Sequence, residues 1–68
     1  MELHINGETR EFEGDEMVVE ALLHQLDIPT TRGVAVAVND EVVTRSRWTS
    51  TRVHDGDRIE IIRATQGG

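Results

Sequence analysis

The chain ends Ala64-Thr65-Gln66-Gly67-Gly68, and that ending is where its residue types could do chemistry. A carboxylate is a poor acyl acceptor until a good leaving group is attached, and adenylation supplies one. To be adenylated, the terminal carboxylate must reach the α-phosphate of a nucleotide held by another protein. Glycine suits such a reach, because without a Cβ it can thread a narrow channel and take φ values closed to other residues. An unbranched Gly68 also leaves the carboxyl carbon open to the next nucleophile. If that nucleophile is the sulfur of a persulfide or of sulfide, the product is a thiocarboxylate on Gly68. The chain has no cysteine, so any sulfur carried as cargo must sit at the terminus. Two terminal glycines arise by chance in about one chain in 200 at ordinary glycine usage. The doublet alone therefore favours a frayed end, and its placement decides.

Other chemistry is weaker. His4, His24 and His54 are predicted on a strand, a helix and a turn. They lack ligand spacing and a cysteine nearby, so they read as surface histidines and no metal site is expected. Arg45, Arg47 and Arg52 surround Trp48. That cluster reads as an aromatic anchoring an irregular loop rather than a stacking platform for single-stranded nucleic acid. No nucleophile–base set or carboxylate pair can be argued in so short a chain.

The elements that would position the tail follow from periodicity. Leu3 and Ile5 alternate with polar residues, giving a half-buried strand, and Asn6-Gly7 is a strong hairpin signal. A second strand runs over residues 8–12, with Phe12 as its core residue. Gly14-Asp15 breaks it, and Asp15 is the predicted N-cap of a helix. Val19, Leu22, Leu23 and Leu26 fall on one helical face, and Pro29 stops the helix by Asp27. Val34, Val36 and Val38 alternate with alanines in a central strand, Asn39-Asp40 turns the chain, and Glu41 to Val43 pair back. Thr44 to Val53 read as a turn or short helical piece. After Asp55-Gly56-Asp57, residues 58–63 form the last strand, with Ile59 and Ile61 on one face and Ile62 on the other. The order predicts an α+β fold of the β-grasp (ubiquitin-like) type: a mixed sheet of four to five strands, first and last side by side, with one main helix on one face. The domain is expected over residues 1–63, with 64–68 a flexible C-terminal diglycine tail.

Size and charge narrow the class. A domain of 68 residues buries only about 60% of its unfolded surface and has no room for a deep cleft. A partner of enzymes is therefore expected rather than an enzyme. Net charge is −6. Residues 1–31 hold eight acids against Arg10, whereas residues 32–68 hold five acids and six arginines. The acidic half suits steered encounter with a basic surface and serves solubility equally. It argues against nucleic acid as a partner. The longest apolar run, Val34 to Val38, falls far short of the roughly 20 residues a membrane helix needs. The N-terminus lacks the pattern of a signal peptide. A cytoplasmic protein with no membrane partner, monomeric when free, is the expectation. All seven basic residues are arginine, so no lysine side chain could accept an isopeptide bond.

The sequence resembles the ThiS family of bacterial thiamine-biosynthesis sulfur carriers over nearly its whole length. The resemblance rests on Met1 to Glu8, Val34 to Asn39, Val43 to Trp48, and above all Asp55 to Ala64 followed by Thr65-Gln66-Gly67-Gly68. Thr44 stands where the family often has proline. The resemblance implies a defined cycle. An adenylating enzyme of the ThiF type would use ATP and magnesium to activate Gly68. A cysteine desulfurase, directly or through a persulfide relay, would supply sulfur. The Gly68 thiocarboxylate would then donate it to thiazole synthase. Thr65, Gln66 and Gly67 would thread into the partners' active sites, and no cofactor would be bound by the chain itself. Related readings are the small subunit of molybdopterin synthase, a transfer-RNA thiolation carrier, a ubiquitin-like protein modifier, and a β-grasp interaction module with an incidental diglycine. An exposed apolar patch of Ile62 with Val42 or Val43 is expected to dock the activating enzyme and the synthase.

Overall fold

The computed structural model describes residues 1–29 and 33–64. Two hairpins frame the sheet. Strand β1 (Glu2–Ile5) pairs antiparallel with β2 (Glu8–Glu11), and β4 (Val34–Val38) pairs antiparallel with β5 (Glu41–Val43). Both turns hold positive φ at their two central residues, Asn6 (51°) and Gly7 (84°), Asn39 (50°) and Asp40 (71°). That is the geometry a two-residue hairpin requires, and asparagine, aspartate and glycine tolerate it best. Between the hairpins lies β7 (Arg58–Arg63), parallel to β1 and antiparallel to β4, completing the order β2-β1-β7-β4-β5. The first and last strands are neighbours, as predicted, and the arrangement is the α+β architecture of the β-grasp fold.

Helix α1 (Val19–Gln25) lies on one face of this sheet. Val19, Leu22 and Leu23 are fully buried with Leu3, Ile5, Val36, Ile59 and Ile61, and Leu26 packs at the margin. Deleting the side chain of one such leucine typically costs about 2–5 kcal/mol. The helix closes through Asp27 (φ 59°). Its amide bonds to the His24 carbonyl at 3.1 Å, and the Ile28 amide bonds to the Leu23 carbonyl at 2.9 Å. Together they satisfy two carbonyls that a helix end leaves open.

The helix does not start where the sequence predicts. Asp15 is no N-cap, and no side chain caps α1. Glu16–Val18 instead form strand β3, antiparallel to β6 (Arg52–His54) in a separate two-stranded sheet. The first helical amides find backbone partners in the crossover: Val19 N–H to the Thr51 carbonyl at 2.9 Å, Glu20 N–H to the Trp48 carbonyl at 3.1 Å. Tertiary carbonyls thus replace the side-chain oxygen of a cap.

The crossover from β5 to β7 contains a 3-10 turn, Arg45–Arg47, and then β6. Trp48 is buried beneath it and donates from Nε1 to the Val43 carbonyl at 2.9 Å, while the Arg45 guanidinium lies 5.3 Å above the ring. Trp48 is an anchor of this loop. Strand β2 ends at Glu11, one residue earlier than predicted, and Phe12 is half-buried at its exit, packed against the core margin. His54 lies on β6 rather than in a turn.

Candidate functional site

The C-terminal tail begins where β7 ends, and β7 is the middle strand of five. Two asparagines from the hairpin turns fasten it. Asn6 donates from Nδ2 to the Ile61 carbonyl at 3.1 Å and accepts the Ile61 amide at Oδ1 at 2.8 Å. Asn39 accepts the Arg58 amide at 2.9 Å through Oδ1 and donates from Nδ2 to Asp57 Oδ1 at 3.0 Å. Each side-chain amide imitates a strand residue just past the point where its hairpin turns away. β7 is therefore held at Arg58 and at Ile61 by more than ladder bonds. Sequence reasoning placed both asparagines in turns but missed this second use, because it depends on which strand lies beside the turn.

At the last described residue, the Ala64 amide donates to the Gly33 carbonyl at 2.6 Å. Gly33 takes φ +86°, a region that glycine enters without steric cost. The chain is thus bonded to the sheet through Ala64, and Thr65, Gln66, Gly67 and Gly68 lie outside the described residues. Gly33 was not among the residues singled out from the sequence; a glycine opening a strand next to the chain's end is the signal that could have found it.

The outer sheet face, away from α1, presents the apolar residues expected there, with one correction. Ile62 is 65% exposed and Val42 76%. Strand register puts Ile62 opposite Ala35 and Val42 opposite Ala37, so two outward alanines of β4 lie between them. Val43 does not belong to this patch. It pairs with buried Val36 and packs against the core, because neighbouring residues of a strand point to opposite faces. On the same face Glu60 lies opposite Ala37, and Arg58 pairs with Asp40 at 2.9 Å.

The three histidines do not converge. His4 on β1 meets the Thr9 hydroxyl at 3.1 Å, His54 meets Glu16 at 3.2 Å, and His24 sits in the last turn of α1. Among the described residues, no group of three or more His, Asp or Glu is placed to hold a metal. Nor is any described helix long and apolar enough to cross a membrane.

Comparison with known proteins bears directly on this geometry. The model of the ThiS family matches residues 3–68. The sulfur carrier protein ThiS of Escherichia coli (strain K12) is 40% identical over 50 residues, covering 74% of each chain. A thiazole synthase of Paramagnetospirillum magneticum (strain ATCC 700264 / AMB-1) is 46% identical over all 68 residues, and the chain spans only 20% of that protein's length. The crystal structure of a thiamine biosynthesis protein (ThiS) from Geobacter metallireducens superposes with a TM-score of 0.86 at 33% identity, covering all of both chains.

Proposed function

Because the chain belongs to the ThiS family, we propose that it is a sulfur carrier of thiamine biosynthesis with the Gly68 carboxylate as its one reacting group. The observation that carries this reading is the family match running through residue 68, which takes in Gly67-Gly68. The tail belongs to a domain whose last described sheet bond is made at Ala64.

In the cycle we propose, a ThiF-type adenylating enzyme binds ATP and magnesium. A Gly68 carboxylate oxygen attacks the α-phosphorus and pyrophosphate leaves. The terminal sulfur of a persulfide, formed by a cysteine desulfurase or its relay, attacks the acyl carbon and AMP leaves. A thiol then reduces the resulting acyl disulfide, and Gly68 keeps the sulfur as a thiocarboxylate. Thiazole synthase receives it. The Paramagnetospirillum thiazole synthase supports this acceptor, since a segment similar to the whole chain lies within that protein. The carrier itself contributes shape. Its tail reaches the chemistry, while the nucleotide, the metal and the catalytic groups belong to the partners. Ile62 and Val42 on the outer face dock those partners, and Thr65 to Gly67 thread into them.

Intact mass of the protein taken from its own cells tests the reading. One oxygen replaced by sulfur at Gly68 is the expected result. With no cysteine in the chain, added sulfur cannot be a side-chain persulfide or mixed disulfide. Adducts through Gly68 to lysines of other proteins would point to a modifier instead. Deleting Gly68 should create a thiamine requirement in a strain with no other copy; growth without thiamine would overturn the assignment.

A further inference from the structure

On the helix side of the sheet, at the end from which the tail departs, lies an open groove of about 390 Å3 flanked by Arg10 and Arg63. We propose that this groove is a second docking surface, and that it grips a segment of the adenylating partner bearing carboxylate and apolar side chains. The proposal rests on the carrier reading above.

Two arginines from distant parts of the sequence line this groove on the same face of the sheet. Arg10 on edge strand β2 lies opposite Leu3, and Arg63 closes β7 opposite Val34, so both point to the helix face. The groove between them is lined by buried Ile61 and by half-buried Leu26 and Ile28 just beyond α1. Glu8 also lines it, yet neither arginine forms an ion pair among the described residues. Arg52 and Arg58, by contrast, each hold a carboxylate. Arg10 is the one basic residue among the first 31, which carry eight acids. In a chain of net charge −6, two guanidiniums left open over an apolar floor form a local exception to the charge of the whole. A guanidinium presents paired donors that match a carboxylate two bonds at a time.

Position supplies the occupant. Arg63 immediately precedes Ala64, the last described residue, which is bonded to the sheet, and four residues of the sequence follow it. Fully extended, four residues span at most about 14 Å. A protein that acts on Gly68 must therefore come within that distance of the end of β7, where the groove opens. Its approach is disfavoured by like charge if it is acidic elsewhere, so a matched contact at Arg10 and Arg63 fixes register and partner choice.

The test is ATP–pyrophosphate exchange by the adenylating enzyme of the same cell, with the full chain as varied substrate. The double variant Arg10→Glu/Arg63→Glu should raise KM for the carrier about tenfold or more with kcat changed less than about twofold, and its KM should depend less on salt. Arg10→Lys/Arg63→Lys should recover most of the loss. Both arginines are exposed, so melting should be unaltered in each variant. A KM for the glutamate variant within about twofold of the unaltered chain would overturn the groove proposal while leaving the carrier reading standing. A fall in kcat alone would overturn it too. If the free chain proves dimeric and the glutamate variant monomeric, the occupant is a second copy and the proposal fails. Absence of exchange with the unaltered chain would overturn the carrier reading and this proposal together.

Discussion

The Ala64 amide donates to the Gly33 carbonyl over 2.6 Å, and this bond holds the last described residue to the sheet. It adds one step to the pairing of β7 with β4, whose register already sets Arg63 opposite Val34. Gly33 reaches that position only through φ +86°. A Cβ there would meet the Ala64 oxygen at 3.4 Å and its Cβ at 3.5 Å, which is ordinary contact. The cost of Gly33→Ala is therefore conformational rather than steric, about 1–2 kcal/mol. In a domain of this size that lowers Tm by roughly 4–8 °C per kcal/mol. Gly33→Asn should cost less, because asparagine tolerates the left-handed region. Thermal melts followed by circular dichroism would order the two variants, and hydrogen exchange at the Ala64 amide should quicken in the alanine variant.

Asn6 joins a turn to a strand 55 residues away. Replacing it by alanine removes two part-buried hydrogen bonds and leaves the Ile61 amide without its acceptor. It also places a residue with a Cβ at φ 51°. Together these should cost about 2–4 kcal/mol. Asn6→Gly isolates the first contribution, since glycine accepts the backbone but makes neither bond. It should fall between the alanine variant and the unaltered chain in a urea titration. Equal loss in both variants would mean that the hydrogen bonds alone matter.

Most of the large sheet was legible because its signals are local. Asn6-Gly7, the Val34-Ala35-Val36-Ala37-Val38 alternation and the Leu22/Leu23 face each carry their own period. β3 and β6 were not legible. Each is three residues long with a single inward side chain, Met17 or Val53, too few for a period to show. Their pairing also explains the missing cap at Asp15. Once Glu16–Val18 pair with Arg52–His54, the helix amides meet the crossover's carbonyls. The site divides the same way. Ile62 could be assigned outward from alternation within its own strand. Choosing Val42 over Val43 required the register of β5 against β4, and placing Arg10 and Arg63 along one groove required the parallel pairing of β1 with β7.

Trp48 is 2% exposed and its indole nitrogen is bonded to the Val43 carbonyl. It covers the second sheet's junction with the main core, where its own carbonyl receives the Glu20 amide. Trp48→Ala should cost about 3–5 kcal/mol, much of the roughly 3–10 kcal/mol expected for a domain of this length. The variant should be partly unfolded at 37 °C, as far-ultraviolet circular dichroism would report. Trp48→Phe should retain most of the packing and lose the indole bond, a change of about 1–3 kcal/mol.

The outer patch and the fold can be separated by three charge insertions. Ile62 and Val42 are 65% and 76% exposed, so Ile62→Glu and Val42→Glu should alter stability by less than about 0.5–1 kcal/mol. Val43 packs against the core, and Val43→Glu should be strongly destabilising because it drives a carboxylate toward an apolar interior. If the patch docks the adenylating enzyme, the two outward variants melt normally but are adenylated more slowly. An Ile62→Glu protein that folds and is adenylated at the unaltered rate would remove the patch from the interface. Ile62 and Arg63 are sequence neighbours on opposite faces of β7, so a partner using both surfaces must straddle the end of that strand. Combining Ile62→Glu with Arg63→Glu should then give a loss close to the product of the single losses, since the two side chains touch different sides of the sheet.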